Sequence, residues 1–260
     1  MKNLFYLLMS IALVSSMSCQ KQSVQTVLLD TYYNHEINSE TGRPQHYTWD
    51  DTSRWGGYSQ FGELFASQGA KLSMLDAKPT ASLLAESDVY IIVDPDHEKD
   101  NPAPNYMDSE SAEAIAQWVN DGGRLLVLTN DRENCDLLHI NTLMQHFGMH
   151  FKDTTILQLD IPTAEHPENV YPLQGVIAGT DKMYMRGTCS IECDEHATPL
   201  VWTLGNDVIM AEAPYGQGLV IAIADPWIYN EYIGHLLLPD NYDNATPARW
   251  LVNYLLTGER

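Results

Sequence analysis

Continuous apolar runs of four to six residues punctuate the first half of the chain and recur near its end. They are Val27-Leu28-Leu29-Asp30, Lys71-Leu72-Ser73-Met74-Leu75, Val89-Tyr90-Ile91-Ile92-Val93, Arg124-Leu125-Leu126-Val127-Leu128 and Leu219-Val220-Ile221-Ala222-Ile223-Ala224. Short runs rich in β-branched residues, without polar alternation, predict strands buried on both faces. Between them the spacing turns helical. Phe61, Leu64 and Phe65 follow Gly56-Gly57, and Gly69 stops that helix. Pro79-Thr80 starts a helical turn running to Ala85. A helix over 108–120 turns Ile115, Trp118 and Val119 inward, with Asp108 or Ser109 as N-cap. Another over 136–147 is closed by Gly148, and the last, over 246–256, carries Ala248, Leu251, Val252 and Leu255 on one face. Residues 150–200 are less regular, with short candidate strands at 156–159 and 183–185. Residues 207–213 and 219–224 read as a strand pair around Pro214-Tyr215-Gly216-Gln217-Gly218. No linker divides the chain, so a single α/β domain is expected over 26–258. The alternation predicts a parallel sheet covered on both faces, joined by right-handed crossovers.

Four of these strands end in polar clusters. The first is followed by Asn34 and Glu36, the second by Asp94 and Asp96, the third by Asn130 and Asp131, and the last by Asp225, Tyr229, Asn230 and Glu231. Ligands of parallel sheets bind outside the carboxyl ends of the strands, so these clusters are expected on one rim. A polar loop carrying His46, Trp49 and Asp51 joins them. Asp94, Asp96, Asp225 and Glu231 are the candidate acids, bases or nucleophiles for work on a glycosidic bond. Asn34, Glu36, His46, Asp51, Asn130, Asp131 and Asn230 are candidates for holding sugar hydroxyls. Trp49, Trp227, Tyr229 and Tyr232 offer aromatic faces to the C–H faces of a sugar. The alternative for every one of these positions is a loop tie with no ligand.

Charge narrows the partners. The 260 residues carry a formal net charge of −21, which disfavours nucleic acid, whose phosphates require Lys and Arg. It equally disfavours peripheral adsorption to anionic lipid. Residues 1–18 read as a signal peptide: Lys2 is followed by an apolar run from Leu4 to Val14, too short to span a bilayer. Ser18 before Cys19 resembles a bacterial lipobox, so Cys19 is the expected lipidation site and 19–25 a tether. The chain is thus expected in the cell envelope, facing the periplasm, with the membrane touched only through the lipid.

Several chemistries find no motif. GxGxxG, a Walker A sequence, G-x-S-x-G and EF-hand spacing are all missing from the sequence. His35, His46 and His97 lack metal-ligand spacing, and no metal or other cofactor is expected. Cys189 and Cys193 are spaced C-x₃-C, which leaves a disulfide and free thiols both open. The strand order matches a flavodoxin-like or class I glutamine-amidotransferase-like three-layer sandwich with a mainly parallel sheet. The amidotransferase nucleophile does not follow, because Cys135 lies too far beyond Leu128 to sit on a tight strand-to-helix turn.

The segments Tyr33-Asn34-His35-Glu36, His46-Tyr47-Thr48-Trp49-Asp50-Asp51-Thr52, Gly69-Ala70-Lys71, Val93-Asp94-Pro95-Asp96, Asn130-Asp131 and Asp225-Pro226-Trp227-Ile228-Tyr229-Asn230-Glu231-Tyr232 carry a likeness. Together they resemble the glutamine-amidotransferase-like accessory domain fused C-terminally to some Bacteroidetes unsaturated glycuronyl and rhamnogalacturonyl hydrolases of glycoside hydrolase families 88 and 105. The resemblance spans about residues 26–256. It implies a setting in the breakdown of uronic-acid polysaccharide such as pectin. The (α/α) toroid that carries the hydrolase activity has no counterpart here, so its catalytic residues do not transfer. Three readings follow: a glycoside hydrolase-like domain acting on oligosaccharides, a non-catalytic glycan-binding or accessory domain using the same rim, and a scaffold whose rim residues only tie loops.

Overall fold

The computed structural model describes residues 24–36, 47–54, 56–157 and 172–260. Its strands, in chain order, are β1 (Thr26–Asp30), β2 (Lys71–Leu75), β3 (Val89–Val93), β4 (Arg124–Leu128), β5 (Met149–Ile156), β6 (Leu173–Gly175), β7 (Thr188–Cys193), β8 (Thr198–Thr203), β9 (Val208–Tyr215) and β10 (Gly218–Ile223). All ten join one sheet, along the path β2-β1-β3-β4-β10-β9-β7-β5, with β8 beside β9 and β6 beside β8.

This sheet is mixed, which corrects the expected flavodoxin-like or class I glutamine-amidotransferase-like sandwich with its mainly parallel sheet. The pairs β1–β2, β1–β3, β3–β4 and β4–β10 are parallel. The five others, β9–β10, β5–β7, β6–β8, β7–β9 and β8–β9, are antiparallel. The physical reason lies in the connections. A parallel step needs a crossover of a dozen or more residues, whereas β7 to β8, β8 to β9 and β9 to β10 are joined by turns of at most four. Of the candidate strand at 156–159, Ile156 ends β5, Leu157 lies beyond it and 158–159 lie outside the described residues; 183–185 forms no strand.

Helices form two groups. α1 (Ser59–Ser67) packs with α5 (Asn230–Ile233) and α6 (Ala245–Thr257), while α2 (Ala81–Leu84), α3 (Ser109–Asn120) and α4 (Leu137–Met144) pack in sequence on one another. The chain steps one way from β1 to β2 and the opposite way from β3 to β4. Right-handed crossovers therefore send α1 and α3 to opposite faces. Sandwiched between, β3 is buried at every position, and Leu125 to Leu128 and Val220 to Ile223 are equally dry. The side chain of Asp108 accepts from the Ser111 N–H at 2.9 Å and fixes the start of α3. A single 3₁₀ turn extends α4 to Phe147, and Gly148 at φ +69° lets the chain reverse into β5.

The thiols at Cys189 and Cys193 do not pair. Both lie on β7, four residues apart, a separation of about 13 Å along a strand, beyond any disulfide.

Gly218 marks a close backbone approach. A Cβ there would collide with the backbone carbonyls of Val119 and Gly123, at the close of α3. Gly218→Ala is expected to destabilise the protein by about 1–3 kcal/mol, because backbone rather than a flexible side chain must give way. Equilibrium urea unfolding checks this; an unchanged midpoint would show that the β10 start has room to move.

Candidate functional site

The reversal of strand order between β1 and β3 brings the loops after them into contact. The Asn34 amide donates to the Asp94 carbonyl at 2.7 Å. Asp94 itself sits at φ +44°, an uncommon conformation for a residue with a side chain. Its Oδ2 accepts from the Tyr47 hydroxyl at 2.6 Å and from the Asn130 amide at 3.3 Å. Tyr47 in turn shares a 2.8 Å hydrogen bond with the Tyr229 hydroxyl. Asp94 thus joins the loops after β1, β3 and β4 with the segment around Tyr47, which reaches the loop after β10 through Tyr229. Asp94 Oδ1 is buried and has no hydrogen-bond partner among the described residues. Burial lifts the Asp94 carboxyl to about 7, against the pull of Tyr47 and Asn130.

Beside this hub lies a cavity of about 400 Å³. Asn130, Asp131, Arg186, Asp225, Tyr229 and Tyr232 give it its chemistry. Asp225 Oδ2 accepts from the Arg186 N–H at 3.0 Å. Burial pushes the Asp225 carboxyl well up, the Arg186 N–H opposes this, and the charges of Asp94 and Asp131 add to the rise. Asp131 Oδ1 accepts from the Glu133 N–H at 2.8 Å and the Asn134 amide at 2.9 Å, which closes the loop after β4. On the other side of that loop, His97, Arg132, Asp136, His150 and Asp153 surround a second cavity of about 370 Å³. A larger cavity, about 510 Å³, lies between Ile156, Pro172 and Leu204, and none of the expected site residues lines it.

The expected residues therefore divide. Asn130, Asp131, Asp225, Trp227 and Tyr229 line the cavity, with Asn34 and Asp94 directly behind it. Trp227 is fully buried, so it offers no ring face for stacking. Its indole N–H has no partner among the described residues. Asp96 holds loops: its Oδ2 accepts from the His35 N–H at 2.9 Å and the Asn101 amide at 2.7 Å. Glu231 is held by the Gly56 N–H, at 3.0 Å to the nearer oxygen. Burial raises both carboxyls above the usual range. Asn230 accepts from the Gln60 N–H at 2.9 Å and donates to the Ser53 carbonyl at 2.9 Å, locking the loop before α1. Asp51 closes a turn onto the Ser53 N–H at 2.8 Å. Trp49 packs against Phe61 and Phe65 and donates to the Ser73 carbonyl at 2.9 Å. Glu36 lies close enough for its charge to raise Asp94 and Asp96. Of the expected residues, His46 and Cys19 lie outside the described residues.

Tyr232, expected as a stacking ring, lines the cavity, whereas Tyr47 and Arg186 were not among the expected site residues. Tyr47 stands inside the His46–Thr52 motif. Arg186 carries no sequence signal, because it lies between strands in the least regular part of the chain. Among the described residues, the adjacent side chains of Asp194, Glu195 and His196 are close enough to gather about an ion, yet all are exposed, and His196 is turned onto Asp194 at 3.1 Å.

With the fold and cavity in hand, likeness to solved structures can be placed. The N-terminal domain of mmIFT52 superposes with a TM-score of 0.67 at 16% identity, covering 91% of this chain and 99% of that one. Cytoplasmic protein STM1381 from Salmonella typhimurium LT2 gives 0.56 at 16% identity, covering 91% and 100%. Cytoplasmic protein STM3548 from Salmonella typhimurium gives 0.51 at 14%, covering 90% and 98%. At such identities the likeness is one of fold. No family model and no curated protein matches the sequence.

Asp30 and Asp94, ordinarily near 3.8, are both lifted by burial to about 7. The folded state therefore holds these protons more tightly than the unfolded chain does. Their stabilising contribution is full below 3.8 and is lost as pH rises through about 7, at roughly 4 kcal/mol per group. Asp94→Asn keeps an acceptor for Tyr47 and removes one of the two contributions. The fall in unfolding free energy between pH 4 and pH 8 is expected to shrink by a few kcal/mol. Urea unfolding across that range checks it, and a slope identical to wild type would show that Asp94 is ionised throughout.

Proposed function

We propose that this chain is a carbohydrate-binding protein of the cell envelope, serving the use of uronic-acid polysaccharide, and that the cavity beside Asp94 holds an oligosaccharide. The observation carrying this reading is the lining of that cavity. Amides, carboxylates and a guanidinium converge there with the part-exposed rings of Tyr229 and Tyr232. Sugar hydroxyls both donate and accept, so they match such a mixed wall, and the rings suit the C–H faces. About 400 Å³ is within the usual range for a small-molecule pocket. The net charge of −21 speaks against nucleic acid as the occupant. The resemblance to the accessory domain of glycuronyl hydrolases supplies the polysaccharide setting, and the N-terminal segment ending at Cys19 supplies the envelope location.

Binding is favoured over hydrolysis because Asp96 and Glu231, two of the four candidate acids, are held by backbone N–H groups of neighbouring loops. One observation favours the hydrolase as second reading. Asp131 and Asp225 both line the cavity, and burial holds the Asp225 carboxyl high, as a general acid requires.

Calorimetric titration with a panel of pectic oligosaccharides, paired with product analysis, separates the two. Saturable binding without product is expected, weakened about tenfold or more by Tyr229→Ala, which removes both a ring and a hydroxyl from the wall. Product that disappears in Asp225→Asn would establish the hydrolase. Silence across the panel would remove both readings.

A further inference from the structure

The hydrogen-bond directions in the cavity wall carry the saccharide reading one step further, to the class of sugar. The Tyr47 hydroxyl has one hydrogen, and it is given to Asp94 Oδ2 at 2.6 Å. The 2.8 Å contact between the two tyrosines is then a donation from Tyr229 to Tyr47. Tyr229 has spent its hydrogen inward, so its oxygen meets a ligand as an acceptor. Asn130 is partly committed: one of its two amide hydrogens goes to Asp94, and its Oδ1 accepts from the Asp131 N–H at 2.9 Å. Asp131 spends Oδ1 on Glu133 and Asn134, while its Oδ2 is the atom nearest to a Cβ built on Gly187, another lining residue.

Charge points the same way. Among the described residues the lining has one guanidinium, Arg186, against the carboxylates of Asp131 and Asp225, and Asp94 stands behind them. With Asp225 protonated these groups are neutral together, and with Asp225 ionised they are negative. In neither state do the described residues of the lining carry surplus positive charge for an anion. A carboxylate ligand only accepts hydrogen bonds, so it would face the acceptor oxygens of Tyr229 and Asp131.

We propose that the cavity takes a neutral, hydroxyl-rich sugar unit and discriminates against a uronate in the same position. The proposal rests on the saccharide reading above. It assigns to the site the neutral residues of a mixed polysaccharide, with the ligand hydroxyl donating to Tyr229.

Matched probes isolate the carboxylate. Galactotriose and trigalacturonate, and the corresponding gluco pair, differ chiefly at C6. They are titrated calorimetrically into the whole protein at pH 8, above the value of about 7 to which burial lifts Asp94. The neutral member of a pair is expected to bind about tenfold tighter or more, since a like-charged wall repels its partner. Tyr229→Phe, confirmed folded by circular dichroism, is expected to weaken the neutral sugar about 3–10-fold, the cost of one lost acceptor. Equal or tighter binding of the uronate, reduced by Arg186→Gln, would overturn this proposal and leave the saccharide reading standing. Binding by neither member of either pair, with other pectic oligosaccharides still bound, would overturn the proposal alone. Silence from every saccharide would overturn both.

Discussion

The position of β10 determines where the candidate site lies. On one side it runs parallel to β4 from Leu219 to Ile223, and on the other antiparallel to β9 from Gly218 to Ile223. It is the seam between the two halves of the sheet. Parallel pairing with β4 delivers the loop after β10 to the same edge as the loops after β1, β3 and β4. Antiparallel pairing with β9 starts the second half, whose β7 carries the chain past the same edge. There Arg186 reaches Asp225 and the Cys189 N–H reaches the Ala224 carbonyl at 3.3 Å. Without this dual pairing, Asp225, Tyr229 and Arg186 would not share a cavity.

At that edge the buried acids do two kinds of work, and their hydrogen-bond partners separate them. Asp30 binds the Tyr32 and Tyr33 N–H groups and the Tyr90 hydroxyl, Asp96 binds His35, and Glu231 binds Gly56. Each satisfies loop backbone that would otherwise be buried without a partner. Asp94 differs. It takes only side-chain donors and lies in a backbone conformation that costs free energy. A desolvated carboxyl held between a tyrosine pair and an asparagine sets the direction of hydrogen bonds in the cavity wall, which a bare loop tie does not require.

The parallel strands were legible because burial on both faces leaves an uninterrupted apolar run, as in Val89–Val93. The helix starts were legible from side chains with one purpose, such as Asp108 before Ser111. The antiparallel half was legible only at the β9–β10 pair around Pro214–Gly218; β5 carries Lys152, Asp153 and three part-exposed positions at its end, so neither a continuous run nor a clean alternation marks it. The mixed character of the sheet was hidden for the same reason. In the site, the meeting of Asn34, Asp94 and Asn130 follows from strand-end positions alone. The division of labour among carboxylates does not, since an aspartate holding an amide and one facing a cavity are the same letter. Trp49 and Trp227 show the same limit for aromatics: one packs on Phe61 and Phe65, the other is fully buried.

The central claim is that the wall built on Asp94 and the β4–β10 edge is where a sugar binds. A crystal structure of the protein soaked with a neutral pectic oligosaccharide tests it most directly. The account predicts a sugar ring against Tyr229 and Tyr232, with hydroxyls on Asn130, Asp131 and Asp225. A sugar ordered instead in the cavity of His97 and His150, or in the apolar one beside Leu204, would contradict it.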